Sequence, residues 1–374
     1  MNSSAKVSAV ALAIATAVSQ VNAAVYTWDG DTDTSLVNGL NWDVGTSPSS
    51  TTSQADPHIA RFGINAGNRY APATGSNFQV SGYEFTADAP NYVVSGGTLY
   101  AVGTGSSNPT SLVSVEGGSS SHRFNALRPR ASGTITNNSS GLLRFGNVPG
   151  GAANDSLLVN RQADSTLVVL TFEGTGNIST SRISRRTNTY DGAVIKNGVG
   201  TLTIDGALNV APGANIVSVI TGRYTINAGT LAVGSDNTIA DASPMTLAGG
   251  TYSTGGFDDT VGALTLGASS TIDLGNAESV LRYATSAAEA WTGTLTITNW
   301  NGSATGGGAD QLYFGLDASG LTETQLAQIT FTGYEPGVAM LSTGEVVATG
   351  APVPEPASLA LIAVAGLIVR RRRA

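Results

Sequence analysis

The feature that most constrains this chain is a short unit that returns along its middle. An alternating apolar and small-polar run meets a glycine, and Thr-Leu or Thr-Tyr then opens the next run. The clearest copies are Gly200-Thr201-Leu202-Thr203-Ile204, Ala228-Gly229-Thr230-Leu231-Ala232-Val233 and Gly249-Gly250-Thr251-Tyr252. Thr201, Thr230 and Thr251 hold equivalent places, 29 and then 21 residues apart. Looser copies follow at Ala263–Gly267 and Gly293–Thr298. Alternation with a period of two puts one side of each run into a core. A unit of roughly 20–30 residues cannot bury that side alone, so neighbouring copies must stack. Glycine supplies the corners, and Thr and Val suit the pleated walls. Stacked coils also satisfy one another's backbone groups, which a chain poor in large side chains needs.

These arguments predict an all-β fold, a right-handed parallel β-helix; a β-sandwich, whose turn signals recur every ~8–12 residues, is the alternative. The body is expected over residues 24–309, with repeats clearest at 192–302. Helical periodicity is almost absent before Gly315. One short helix is expected after it, because Thr322 and Gln325 are spaced as a capping box, with Leu321 and Leu326 as the flanking apolar pair. Residues 310–350 are therefore read as a C-terminal cap and linker, with Gly350–Val353 extended.

Composition narrows the chemistry. The 374 residues include 47 glycines, no cysteine and two histidines. There can be no disulfide framework, thiolate metal site or thiol nucleophile. Mean hydropathy of +0.07 is too high for a disordered polar chain.

The two ends read as addresses. Residues 1–23 carry one charge, Lys6, then an apolar run from Val7 to Val18, then Val21-Asn22-Ala23. That is the grammar of a secretory signal peptide with cleavage between Ala23 and Ala24, and it implies the Sec export machinery as a partner. The other end reads Val353-Pro354-Glu355-Pro356, an apolar run from Ala357 to Val369, then Arg370, Arg371, Arg372 and Arg373. The run is expected to be a transmembrane helix stopped by the arginines on the cytoplasmic side. At ~1.5 Å per residue it reaches only ~20 Å, short of a ~30 Å hydrocarbon core, so any span would be marginal or transient. Without the two signals, residues 24–350 hold 13 basic and 25 acidic side chains, a net −12. A net acidic body whose lysine is Lys196 alone is a poor nucleic-acid binder, and no nucleic-acid partner is expected. Eight arginines between Arg123 and Arg186 are read as solvated turns.

The tail resembles the PEP-CTERM sorting signal of Gram-negative bacteria, and residues 351–374 are assigned to it. The resemblance implies recognition by an exosortase-type processing enzyme, near the motif Val353-Pro354-Glu355-Pro356. It also implies a protein that is membrane-anchored and then delivered to the cell envelope, surface or extracellular matrix, where extracellular polysaccharide is a further partner. The repeated unit resembles the autotransporter-associated β-strand repeat over Gly192–Gly234, with weaker copies to about Gly302. The opening Thr27-Trp28-Asp29-Gly30 with Asn41-Trp42 is similar to the start of proteins that combine such repeats with this tail.

No constellation in the body reads as catalytic, and no cofactor or metal is expected. Asp258-Asp259 is the one adjacent acidic pair, read as a solvated turn because neighbours on a strand face opposite ways. Asp29, Asp31 and Asp33 alternate like calcium ligands but lack the rest of a calcium loop. His122 beside Ser121 is read as a surface histidine, since sequence neighbours do not make a triad. Gly103-Thr104-Gly105 and Gly174-Thr175-Gly176 are strand breaks, and the four tryptophans are read as core or end-cap packing. The expected function is that of an exported, non-enzymatic structural or adhesive surface protein. The alternative is a polysaccharide- or ice-binding β-helix using the arrays Thr201/Thr203 and Thr294/Thr296/Thr298; a polysaccharide lyase or hydrolase ranks lower, for want of convergent carboxylates.

Overall fold

The computed structural model describes residues 23–49, 58–103, 110–146, 157–159, 167–185, 191–206 and 218–353. Its strands form two long walls. The first sheet has ten strands, running from Ala24–Trp28 through His58–Phe62, Gly82–Phe85 and Thr110–Val115 to Met245–Ala248 and Leu264–Ala268. The second has eleven strands in line, from Ala73–Val80 through Leu143–Phe145 and Thr201–Ile204 to Ile329–Phe331, with Arg128–Pro129 pairing beside Val93–Ala101. Along both walls every pairing is parallel, and successive coils contribute one strand to each. This parallel pairing is consistent with a β-solenoid and excludes the antiparallel β-sandwich.

Register explains the pattern of burial. On the second wall Leu143, Ile178, Leu202, Leu231, Tyr252, Ile272, Ile297 and Phe331 stack as one inward column, all buried. On the first, Ala60, Tyr83, Val113, Ile135, Phe172, Lys196, Ile226, Leu247 and Leu266 do the same. A column is stable because each side chain rests on its equivalent one strand away, at the ~4.8 Å strand spacing. The number of residues between partners still varies, from 37 between Ile135 and Phe172 to 19 between Leu247 and Leu266. Apart from shifts at Thr74/Asn77, Ser111/Val113 and Leu247/Ala248, the walls hold register while the connections absorb the difference. Corners turn where side chains are excluded: Gly229 sits at φ +64°, and a Cβ there would strike the carbonyl oxygens of Gly198 and Gly200.

Both poles are closed. At the N-terminal pole Thr27 N–H donates to Asp43 Oδ1 at 3.0 Å, Asp43 N–H returns to the Thr27 carbonyl, and Trp28 bridges Trp42. That blunts an otherwise open edge strand. At the other pole the parallel order ends. Asp310–Phe314 pairs antiparallel with Glu345–Ala348, which pairs antiparallel with Val338–Met340.

The expected transmembrane sorting helix over Ala357–Val369 falls outside the described residues. Among the described residues no helix is long and apolar enough to cross a membrane, and the α-helix that is described, Glu323–Leu326, is a single turn. The fold assignment is corrected accordingly to a parallel β-solenoid with a capped C-terminal pole. The shortness of the apolar run, noted above, supplies the physical reason. The membrane-spanning partner and the membrane-anchored localisation are dropped with it.

Candidate functional site

Two places combine order with exposure: the C-terminal pole, from which the tail leaves, and the outer face of the second wall.

The pole is built from its short helix outward. Thr322 Oγ1 accepts from Gln325 N–H at 3.2 Å, and Gln325 Oε1 accepts from Thr322 N–H at 2.8 Å, closing a capping box. The Gln325 amide then donates to the carbonyls of Ser286 and Glu289, which ties the turn to the preceding coil. Below it Trp300 packs against Phe331 at 4.9 Å and Tyr334 at 5.1 Å. Tyr334 lies opposite Pro352 in an antiparallel bridge. Glu335 N–H donates to the Ala351 carbonyl at 2.9 Å, and Val353 N–H to the Gly333 carbonyl at 2.8 Å. The segment Gly350–Val353, expected as an extended linker, has its last residues docked on the cap. Val353 itself is partly exposed, while Pro354, Glu355, Pro356 and Arg370–Arg373 lie outside the described residues. At the opposite end Ala24 opens the first strand and Ala23 precedes it; residues 1–22 lie outside the description.

A cleft of about 440 Å³ flanks this pole, lined by Asn276, Glu278, Asn301 and Asp310 among others. Asp310 is committed to the fold, accepting from Asn301 N–H at 2.6 Å and Ser279 N–H at 3.1 Å. Burial raises its pKa and those two N–H groups oppose the rise.

The outer face of the second wall is flat and repetitive. Thr201, Thr230, Thr251, Thr271, Thr296 and Thr330 stand in register on six successive strands. The next outward column reads Thr203, Ala232, Ser253, Asp273 and Thr298. Strand spacing puts the Thr side chains ~4.8 Å apart along the column and the two columns ~7 Å apart across it. The expected trio Thr294, Thr296 and Thr298 is split: Thr294 precedes its strand and Thr296 and Thr298 lie on it. Within the array the second column carries one charge, Asp273, which accepts from Ser253 Oγ at 3.1 Å; beyond it Arg144, which aligns with Ser179 and through it Thr203, forms an ion pair with Asp205 at 2.7 Å. The first wall's outer face differs, with Arg61 paired to Glu84 at 2.9 Å.

The remaining candidates resolve as structure. His122 is buried, a correction of its surface assignment: it aligns with Leu143 in the inward column and stacks on Phe85 at 4.3 Å. Burial pushes its pKa down to about 4. Asp258 and Asp259 diverge. Asp258 is exposed and caps Val280 N–H, whereas Asp259 is buried, accepting from Tyr252 Oη at 3.0 Å and Ile239 N–H at 3.2 Å. Burial raises Asp259 to about 7 against those bonds. The solvated-turn reading therefore holds for neither Asp259 nor the arginines Arg144 and Arg182, which are buried. Asp33 accepts from Ser35 N–H, Asn38 and Asn41, fastening the N-terminal cap rather than facing a cation. Among the described residues no group of three or more His, Cys, Asp or Glu is placed to hold a metal ion.

Sequence reasoning missed Lys196, which occupies the apolar column between Phe172 and Ile226. Its Nζ reaches the corner carbonyls of Gly198 and Ala228, and burial lowers its pKa to about 8. The signal was present: it is the one lysine outside the signal peptide, at an inward-facing parity.

Residues 352–373 match the PEP-CTERM protein-sorting motif. The chain carries that sorting motif. The match ends there and does not extend over 192–302, where the repeat resemblance lies. No curated protein and no solved structure matches the chain. The motif fits an exported, cell-surface or secreted protein linked to an exosortase-type sorting pathway.

Proposed function

We propose that this is a non-enzymatic surface protein: a rigid β-solenoid delivered through its C-terminal sorting motif to act as a structural or adhesive element outside the cell. The observation that carries the reading is the pairing of a complete sorting motif at 352–373 with a stacked, capped body whose buried carboxylates are spent on the fold. A solenoid suits the role because its length is set by coil number and its faces repeat. Its coils over 192–302 are proposed to be of the autotransporter-associated type, supported by the alignment of Thr201, Thr230 and Thr251. The test is fractionation of the native cell, with intact mass and terminal sequencing of the recovered protein. Surface or matrix material lacking the tail is expected. Full-length protein in the cytosol would overturn the proposal.

The second reading is recognition through the outer face of the second wall. Six Thr side chains in one column present hydroxyls and methyls at regular spacing without intervening charge, which complements a partner that itself repeats, such as a neutral polysaccharide or an ice surface. A glycan array and a thermal-hysteresis measurement test it, and silence in both discards it.

A further inference from the structure

The last described segment before the sorting motif is part of the fold. Ala351–Val353 lies antiparallel on Gly333–Glu335, held by the Val353 N–H to Gly333 carbonyl bond and the Glu335 N–H to Ala351 carbonyl bond. The receiving segment is itself fixed, because Tyr334 packs on Trp300 and Phe331 next to it belongs to the second wall. Approach is close: a Cβ added at Gly350 would strike the carbonyl oxygen of Glu335. Pro354 and Glu355 follow directly, so Glu355 is at most ~7–8 Å of chain beyond the last docked residue.

Enzymes that act on peptide segments bind them extended, through the backbone groups of several consecutive residues. An enzyme that recognises Val353–Pro356 needs the backbone of residues just upstream. Those same groups are occupied by the cap. Resting on the sorting function proposed above, we infer that Ala351–Val353 is a strap for which the folded cap and the processing enzyme compete, so the tail is processed only after the strap peels away from Gly333–Glu335. The strap holds the chain at the pole as far as Val353, beside Trp300 and Tyr334.

Two variants push the competition in opposite directions. The natural chain has no cysteine, so Glu335→Cys with Ala351→Cys, opposed residues outside the matched motif, introduces a single thiol pair. Directly opposed antiparallel residues have Cα atoms ~4.5–5.5 Å apart, within the ~4.4–6.8 Å that a disulfide spans. Gly350→Val, outside the matched motif, forces the strap off its partner instead. Conversion of the full-length chain to its tail-less form is followed in membranes of the native cell. The expected result is loss of conversion in the diamide-oxidised double variant, recovery when the same protein is reduced, and faster conversion of Gly350→Val. Amide exchange at Val353 and Glu335 is expected to be slow in the natural chain and fast in Gly350→Val.

Conversion of the cross-linked protein at the reduced protein's rate would overturn the strap while leaving the sorting function intact. Unprotected amides at Val353 and Glu335 in the natural chain would overturn it without reference to any enzyme. No conversion of the natural chain would overturn the sorting function and the competition with it.

Discussion

Along the middle of the solenoid the inward packing changes character from the first coils to the later ones. Toward the N-terminus the interior is aromatic: Phe62 stacks on Phe85 at 5.3 Å, Phe85 meets Tyr92 and Phe124, and Phe124 stacks on Phe145 at 5.5 Å. Past Ile178 the corresponding column is aliphatic, interrupted by Tyr252, until Phe331 closes it. Register shifts occur in both halves, at Thr74/Asn77 and Ser111/Val113 in the aromatic one and at Leu247/Ala248 in the aliphatic one. The aliphatic half depends on repetition: one Thr outside, one Leu, Ile or Tyr inside, on each strand. Regularity does in one region what ring size does in the other.

The comparison breaks most sharply by truncation. Phe85→Ala removes a ring that touches Phe62, Tyr92, His122 and Phe124, and is expected to cost about 3–5 kcal/mol. Leu231→Ala in the aliphatic column is expected to cost about 2–4 kcal/mol. In a solenoid each coil contacts only its neighbours, so the losses stay local. Hydrogen exchange is expected to show Phe85→Ala opening coils near 58–145 while amides near 245–331 keep their protection, and Leu231→Ala opening those around itself. Uniform loss of protection along the chain in either variant would show that the two regions unfold as one.

Buried titratable groups sharpen the contrast, one in each region and with opposite sign. Burial lifts the folded pKa of Asp259 from the ordinary 3.8 to about 7, so between those values the folded chain holds a proton that the unfolded chain releases. Its contribution to stability is therefore greatest below about pH 4 and is lost as pH rises to about 7. Asp259→Asn is expected to raise stability at pH 7 by up to a few kcal/mol, provided the amide oxygen keeps the Tyr252 and Ile239 bonds, and to flatten the pH 4–7 slope. His122 runs the other way. Its folded pKa of about 4 lies below the ordinary 6.5, so stability is lost as pH falls from 6.5 toward 4. His122→Leu is expected to remove that acid sensitivity and, at neutral pH, to cost about 1 kcal/mol through loss of the bond that Tyr92 N–H donates to Nδ1 at 3.4 Å. Denaturant titrations between pH 4 and 8 check both, and a slope unchanged by either variant would contradict its assignment.

Much of the aliphatic region was legible because Thr-Leu repeats mark both faces of a strand at once. Thr201, Thr230 and Thr251 aligned in the sequence, and Thr271, Thr296 and Thr330 complete the column; only Thr296 had been singled out before. The aromatic region offered no such mark, because Ala60, Tyr83, Val113 and Ile135 share a column but not a chemistry. Polar side chains at inward parity misled for the same reason. The surface reading of His122 and the solvated-turn reading of Asp259 rest on polarity, while the strand's alternation decides which way these side chains, and Lys196, point. The docking of Ala351–Val353 was hidden by its proline, which reads as a linker but here faces Tyr334 across an edge pairing where its missing N–H costs nothing.

The smallest expected change in stability tests whether the regular region is regular for folding alone. Replacing Thr230, Thr251 and Thr271 together by Val keeps the β-branched shape and the strand preference and removes three hydroxyls from the outer column. Each site is half exposed, and each substitution is expected to move stability by no more than about 0.5 kcal/mol. A column kept only as strand-forming surface would leave every binding readout unchanged in the triple variant. A column that meets a repeating partner by its hydroxyls would lose glycan or ice binding while melting at the natural chain's temperature. That dissociation of binding from melting is the measurement that separates the two, and a triple variant that melts far lower would instead place those hydroxyls in the fold's own hydrogen bonding.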